Sequence, residues 1–125
     1  MRISFDFDDT LSRDDVQEFA SYLIAENVAD VYVVTCRFCD QRKHEWLLNP
    51  TNDDFWEVID RIGIDKGKVH FTNFEPKYPL LFDLDIAIHV DDDMDEIADI
   101  IENGDTVTVY VKNPYWREIC LGLLS

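Results

Sequence analysis

Short runs of β-branched and aromatic residues alternate along the chain with longer stretches whose apolar positions recur every three or four residues. Ile3-Ser4-Phe5, running into Asp6, reads as a first strand. Ser12 with Asp15 three residues later is a helix-start pattern, since each side chain can take up a free backbone N–H. Val16, Phe19, Ala20, Leu23 and Ile24 then fall at helical spacing. Val31-Tyr32-Val33-Val34-Thr35 is apolar at nearly every position, as a strand covered on both faces should be. A helical segment is expected from about Asp40 to Leu48, ending before Pro50. Thr51 caps the next helix, with Phe55, Val58, Ile59 and Ile62 on one face and Gly63 closing it.

The second half repeats the alternation. Lys68 to Thr72 reads as a third strand, and Pro76 suits the first turn of a helix that runs through Leu84. Ile86 to Val90 is a fourth strand, and Met94, Ile97, Ala98 and Ile101 form the inner stripe of the helix after it. Gly104 ends that helix, Thr106 to Val111 is a fifth strand, and a last helix from Pro114 to Leu124 buries Trp116, Ile119, Cys120 and Leu123. Five strands alternating with helices require crossover connections, hence an α/β, Rossmann-like three-layer sandwich with a mainly parallel sheet and helices on both faces. Ligands of such sheets bind at the carboxyl ends of the strands.

Composition narrows the setting. At 125 residues, with 46% hydrophobic and 13% aromatic side chains, the chain suits one domain, residues 1–125, with a packed interior. No apolar run reaches the roughly 18 residues needed to cross a bilayer, and Met1 to Asp9 carries an acid too early for a secretory signal. Three cysteines do not make a disulfide framework, which agrees with a cytoplasmic protein. The net charge of −16 disfavours nucleic acid and anionic membranes, whose binding depends on Lys and Arg. Ten acids and no Lys or Arg lie between Asp83 and Asp105. Asp93, Asp95, Glu96 and Asp99 read as helix-start acids and a solvated face, with Asp95 keeping a prospect as an acid behind the ligands, but Asp91 and Asp92 at the strand end are not explained this way.

Those strand-end residues are Asp6 and Asp8 after the first strand, Thr35 after the second, and Asp91-Asp92-Asp93 after the fourth, with Lys77 at the start of the helix before it. Clustered carboxylates repel unless a cation or proton intervenes. Mg²⁺, a hard ion that takes carboxylate, carbonyl and phosphate oxygens, is the natural partner. With one Lys, such a site accepts phosphate that carboxylates alone would reject.

The segment Asp6-Phe7-Asp8-Asp9-Thr10-Leu11 resembles the DxDxT-L signature of the haloacid dehalogenase (HAD) superfamily, with Thr35, Lys77 and Asp91-Asp92 similar to its later motifs and in its order. The resemblance implies a sheet of order 5-4-1-2-3 and a Mg²⁺-dependent phosphatase. Asp6 would be the nucleophile that forms an aspartyl-phosphate, and Asp8 the general acid and base, a job that needs a raised pKa. The Mg²⁺ ligands would be Asp6, the backbone carbonyl of Asp8, and Asp91 or Asp92. Thr35 would donate to phosphate, and Lys77 would balance phosphoryl charge and hold the nucleophile. Arg37, two residues past Thr35, is placed for bidentate phosphate contact, the alternative being an ion pair. Ser12 follows the first motif closely, and only two helices and one strand separate Thr35 from Lys77, so no cap domain is expected. The open site then takes a small phosphorylated molecule or an accessible phosphate on a macromolecule, or is closed by a second subunit of a homo-oligomer. The Asn49-Pro50-Thr51-Asn52 loop would partly shield it, and Arg37, Arg42 and Lys43 would lend its mouth a basic patch.

Other readings stay beside this one. Asp8 and Asp9 as plain helix caps, Thr35 as an ordinary strand end, and Lys77 as a solvated residue are the structural alternatives. A binding protein of this type without turnover, or a receiver that stores phosphate on an Asp, are the functional ones. Asp91, Asp93, Asp95 and Glu102 match part of an EF-hand loop, but Glu96 stands where that loop needs Gly. Cys36 and Cys39 have the spacing of a metal or redox pair without a second pair. His44, His70 and His89 show no metal-site spacing.

Overall fold

A computed structural model describes residues 1–39 and 51–125. The helix expected from Asp40 to Leu48, with Arg42, Lys43 and His44, lies outside the described residues, as do Asn49 and Pro50 of the shielding loop.

Five strands make one sheet: β1 (Arg2–Phe5), β2 (Asp30–Thr35), β3 (Val69–Phe71), β4 (Ile88–Asp91) and β5 (Val107–Tyr110), in the order β3-β2-β1-β4-β5. All four pairings are parallel. Read from the other edge, this is the expected 5-4-1-2-3. The middle strand, β1, matches Ile3 to Val31 on one side and to Ile88 on the other. No cap domain is present among the described residues, and none of their helices is long and apolar enough to cross a membrane.

The helices are α1 (Asp14–Ala25), α2 (Asp53–Ile62), α3 (Tyr78–Asp83), α4 (Met94–Asn103) and α5 (Trp116–Leu124). Because strand side chains alternate, each strand feeds two cores of different size. On one face Ile3, Phe5, Val33 and Val90 meet α1, α2 and α5 in the larger cluster. Phe19 of α1 packs edge-on against Phe5 at 6.4 Å and Trp116 at 5.2 Å, geometries worth about 0.5–1.5 kcal/mol each beyond burial. The opposite face is thinner: Val34, Leu81, Ile86 and Ile100 form a small cluster under α3 and α4. That face also carries buried polar side chains.

Several boundaries differ from the sequence reading. Ser12 does not cap α1; its Oγ accepts from the Asp9 N–H at 3.0 Å inside the preceding turn, and Arg13 occupies the cap position without a side-chain cap bond. Asp15 instead takes the Arg13 guanidinium and the Val16 N–H. Thr51 accepts from the Asp53 N–H at 3.4 Å, but the residue at the α2 cap is Asn52. Gly63 closes α2 at φ 87°, in the left-handed region that a side chain resists. The third helix begins at Tyr78, so Pro79 rather than Pro76 sits in its first turn. Around α4 the inner residues are Ile97 and Ile100, whereas Met94, Ala98 and Ile101 are exposed. In α5, Trp116 and Cys120 are buried while Ile119 and Leu123 stay at the surface.

Candidate functional site

The carboxyl ends of β1 and β4 set the site. After β1 the chain makes a wide turn over Phe7–Leu11, with Leu11 N–H donating to the Asp6 carbonyl at 3.0 Å and Ser12 N–H to that of Phe7 at 2.9 Å. Asp9 sits in the left-handed region at φ 56°, a conformation Asp tolerates better than most residues. This turn leaves Asp6 and Asp8 at the mouth of a cleft of about 470 Å³. Seven carboxylates and a single ammonium line it among the described residues.

That ammonium belongs to Lys77. Its Nζ donates to Asp6 Oδ1 at 2.9 Å and to Asp91 Oδ2 at 2.7 Å, and all three side chains are nearly excluded from solvent. Burial alone would strip the charge from Lys77, but the two carboxylates win and hold its pKa well above the ordinary lysine value. Asp6 moves up, because burial and the negative Asp91 outweigh the help of Lys77. Asp91 is pressed low despite burial, by the His89 hydrogen bond and the Lys77 charge. The α4 residue Glu96 positions this Lys from outside, its Oε1 accepting the Lys77 backbone N–H at 2.9 Å. Burial raises the Glu96 pKa, partly offset by that bond and by the Lys77 charge.

Carboxylate oxygens of Asp6, Asp91 and Asp92 lie within 4.8 Å of one another, a set that could hold one metal ion. Both Asp91 oxygens already have partners: Oδ2 takes Lys77 and His89, and Oδ1 takes the N–H groups of Asp92 and Asp93. Among the described residues, Asp92 accepts a 3.4 Å contact from the Thr10 hydroxyl and shares a side-chain hydrogen bond with Asp6, which leaves its oxygens more available than those of Asp91. Asp93 caps α4, accepting from Asp95 and Glu96 N–H groups, in keeping with its reading as a helix-start acid.

Asp8 and Arg37 meet each other rather than the Lys77 cluster. Asp8, half-exposed, receives Arg37 Nε at 3.0 Å and Nη2 at 2.7 Å. The same guanidinium donates twice to Asp54 at 2.9 Å and once to Asn52 Oδ1 at 3.3 Å. All five of its N–H donors are therefore occupied, and it lies 4.9 Å over the Phe7 ring. Burial disfavours the Arg37 charge, but the Asp54 and Asp8 hydrogen bonds raise its pKa further. Thr35 is fully buried, and its Oγ1 accepts the Arg37 backbone N–H at 3.3 Å. Cys36 lines the cleft, its thiol pushed up to about 11 chiefly by burial, so at neutral pH it is neither thiolate nor ready ligand.

The sequence reading gave no role at the site to Ser4, Asp54 or His89, and placed Asn52 only in a shielding loop. Asn52 ties α2 to the loop after β2, donating to the carbonyls of Phe38 and Cys39. His89, completely buried, bridges Ser4 Oγ at 2.7 Å and Asp91 Oδ2 at 2.8 Å. Desolvation lowers its pKa and keeps the ring neutral, against the pull of Asp91. A period-two match of Ser4 with Asp6 and of His89 with Asp91 was the available signal, since each pair shares a sheet face.

Comparison of the chain with protein-family models, curated proteins and solved structures found no match. What the site can do therefore rests on its own chemistry: three convergent carboxylates and one ammonium between Asp6 and Asp91.

Proposed function

We propose that the chain is a Mg²⁺-dependent phosphohydrolase of haloacid dehalogenase type, acting through an aspartyl-phosphate on Asp6. One observation carries this reading: Asp6, at the carboxyl end of the middle strand, is held 2.9 Å from Lys77 within a cluster of hard oxygen donors. The donor set suits Mg²⁺, because its carboxylates outnumber the one ammonium and include no sulfur or imidazole ligand. Asp6 and Asp92 would hold the ion, with Asp91 beside them. Bound there, Mg²⁺ would supply positive charge to phosphate oxygens.

The protein's part follows from its own groups. Lys77 orients the Asp6 carboxylate and faces the phosphoryl charge. An Asp6 oxygen attacks phosphorus as the bond to the leaving oxygen breaks, and Asp8 donates a proton to that oxygen. Asp8 then takes a proton from the water that attacks the phospho-aspartate, releasing phosphate and free Asp6. Each proton transfer requires Asp8 to turn from Arg37 toward the cleft. Thr35, expected to donate its hydroxyl to phosphate, is fully buried at the end of β2 and does not line the cleft. With the cleft open, the substrate is a small phosphorylated molecule or a phosphate on a macromolecule. Three free cysteines suit a reducing, cytoplasmic setting.

The Arg37 clamp on Asp8 favours a second reading, a phosphate- and metal-binding protein with no turnover. An aryl phosphate assay with Mg²⁺ or with chelator separates them. Wild type should release phosphate only with Mg²⁺, Asp6→Asn should release none, and Asp8→Asn should be slower by about 10²–10⁴-fold. Turnover in Asp6→Asn rejects the nucleophile. Silence across a broad phosphate panel selects the binding protein.

A further inference from the structure

Beneath the cleft, Ser4 of β1 and His89 of β4 are direct partners across the two middle strands. Both are wholly buried, where packing alone would choose apolar side chains such as Ile3 and Val90 nearby. A buried imidazole is tolerated when both nitrogens are satisfied, and here they are. The direction of each bond follows from chemistry. A carboxylate only accepts, so His89 Nε2 carries the proton and donates it to Asp91. In the neutral ring Nδ1 is then bare and accepts from the Ser4 hydroxyl, which fixes the tautomer.

This arrangement has a mechanical result. The Asp91 carboxylate receives two donors on each oxygen, one of them from His89. Its rotation is blocked, and with it the place of the Lys77 ammonium that Asp91 shares with Asp6. Nothing in the proposed reaction uses His89, which does not line the cleft. We propose that Ser4 and His89 form a positioning pair, locking Asp91 so that Lys77 stays against Asp6 and Asp92 stays available to a cation. The pair acts through Asp91 and touches no substrate. This inference rests on the reading of the acidic cluster as a divalent-cation site.

Three variants test it: His89→Leu removes the donor, His89→Gln keeps an N–H at nearly the same place, and Ser4→Ala frees the tautomer. Each is measured for folding by circular dichroism, for Mn²⁺ affinity by calorimetry, and for kcat and KM on an aryl phosphate. His89→Leu should bind Mn²⁺ about 10–100-fold more weakly and lose kcat in step with little change in KM, as loss of a partner behind a metal ligand does. His89→Gln should recover most of that loss, and Ser4→Ala should fall between it and wild type. The wild-type imidazole should show the Nε2–H tautomer by ¹⁵N NMR. A folded His89→Leu with wild-type Mn²⁺ affinity overturns the proposal, as does a His89→Gln equally impaired. Should His89→Leu not fold, an unchanged Ser4→Ala overturns it and a weakened one supports it. If wild type binds Mn²⁺ yet hydrolyses nothing, the phosphatase reading fails while the affinity series still decides the positioning role. If wild type binds no Mn²⁺, both fall.

Discussion

Arg37 shows how one side chain can be buried and still fully partnered. Its acceptors, Asp8 and Asp54, keep about half their side-chain surface in water, 47% and 53% exposed, while the guanidinium keeps 4%. Losing the guanidinium therefore frees two acids that water can take up, whereas burying it unpaired would be far worse. Arg37→Met should lower the stability by about 1–3 kcal/mol in urea unfolding, with the fold retained. A pH effect follows from Asp54. The Arg37 hydrogen bonds hold its pKa below the ordinary 3.8, against a smaller upward push from burial. A depressed folded pKa means stability that is complete above 3.8 and is lost as pH falls through the folded value. Urea midpoints followed from about pH 5 to about pH 2 should decline less steeply in Asp54→Asn than in wild type. Asp6, Lys77, Asp91 and Asp92 were legible in the sequence because strand ends converge by topology, whatever the packing. Asp54 and His89 were not, because their meaning comes from partners 17 and 85 residues away. Arg37 was placed in the correct loop, but its fivefold occupation depends on α2, whose approach no local pattern specifies.

Among the elements, α4 carries the clearest lesson in register. Met94, Ile97, Ala98 and Ile101 make a valid helical stripe, and so do Asp93, Ile97 and Ile100 with Glu96 beside them. From the second stripe Ile97 and Ile100 are buried, in a rotation that lets Glu96 reach the Lys77 backbone and the exposed Asp93 cap the helix at the cleft. Polar contacts at one end thus agree with the rotation of the whole helix, and hydrophobicity alone does not reveal them. Ile100→Ala, in the small core under α3 and α4, should cost about 2–5 kcal/mol. Ile101→Ala, 65% exposed, should stay within about 0.5 kcal/mol of wild type. Equal losses in thermal unfolding would contradict this register. The parallel sense was readable because crossover helices leave few alternatives, whereas the strand order came only with the resemblance of the strand-end motifs. Helix starts were less so: Ser12 had the right chemistry but was drawn into the tighter demands of the turn after Asp6.

At the scale of the molecule, a net charge of −16 meets one buried ammonium at the cleft. Lys77→Met leaves Asp6 and Asp91 facing each other without a cation, and should destabilise the protein by about 3–5 kcal/mol in chelator. Under the proposed function, Mg²⁺ at a hundred times its Kd should stabilise wild type by about 2.7 kcal/mol, and Asp92→Asn by less. Differential scanning calorimetry with Mg²⁺ and with chelator checks both. The middle position of β1 has a further result for the chain while it is being synthesised. Its pairing with β2 is available early, but its other side waits for β4, with Ser4 meeting His89 across 85 residues. Until that loop closes, β1 is an open edge and Asp6 has neither Asp91 nor Asp92 beside it. Ribosome-bound chains stopped after Phe71 can pair three strands yet hold no acidic trap. The three acids Asp6, Asp91 and Asp92 thus come together only once β4 has been made.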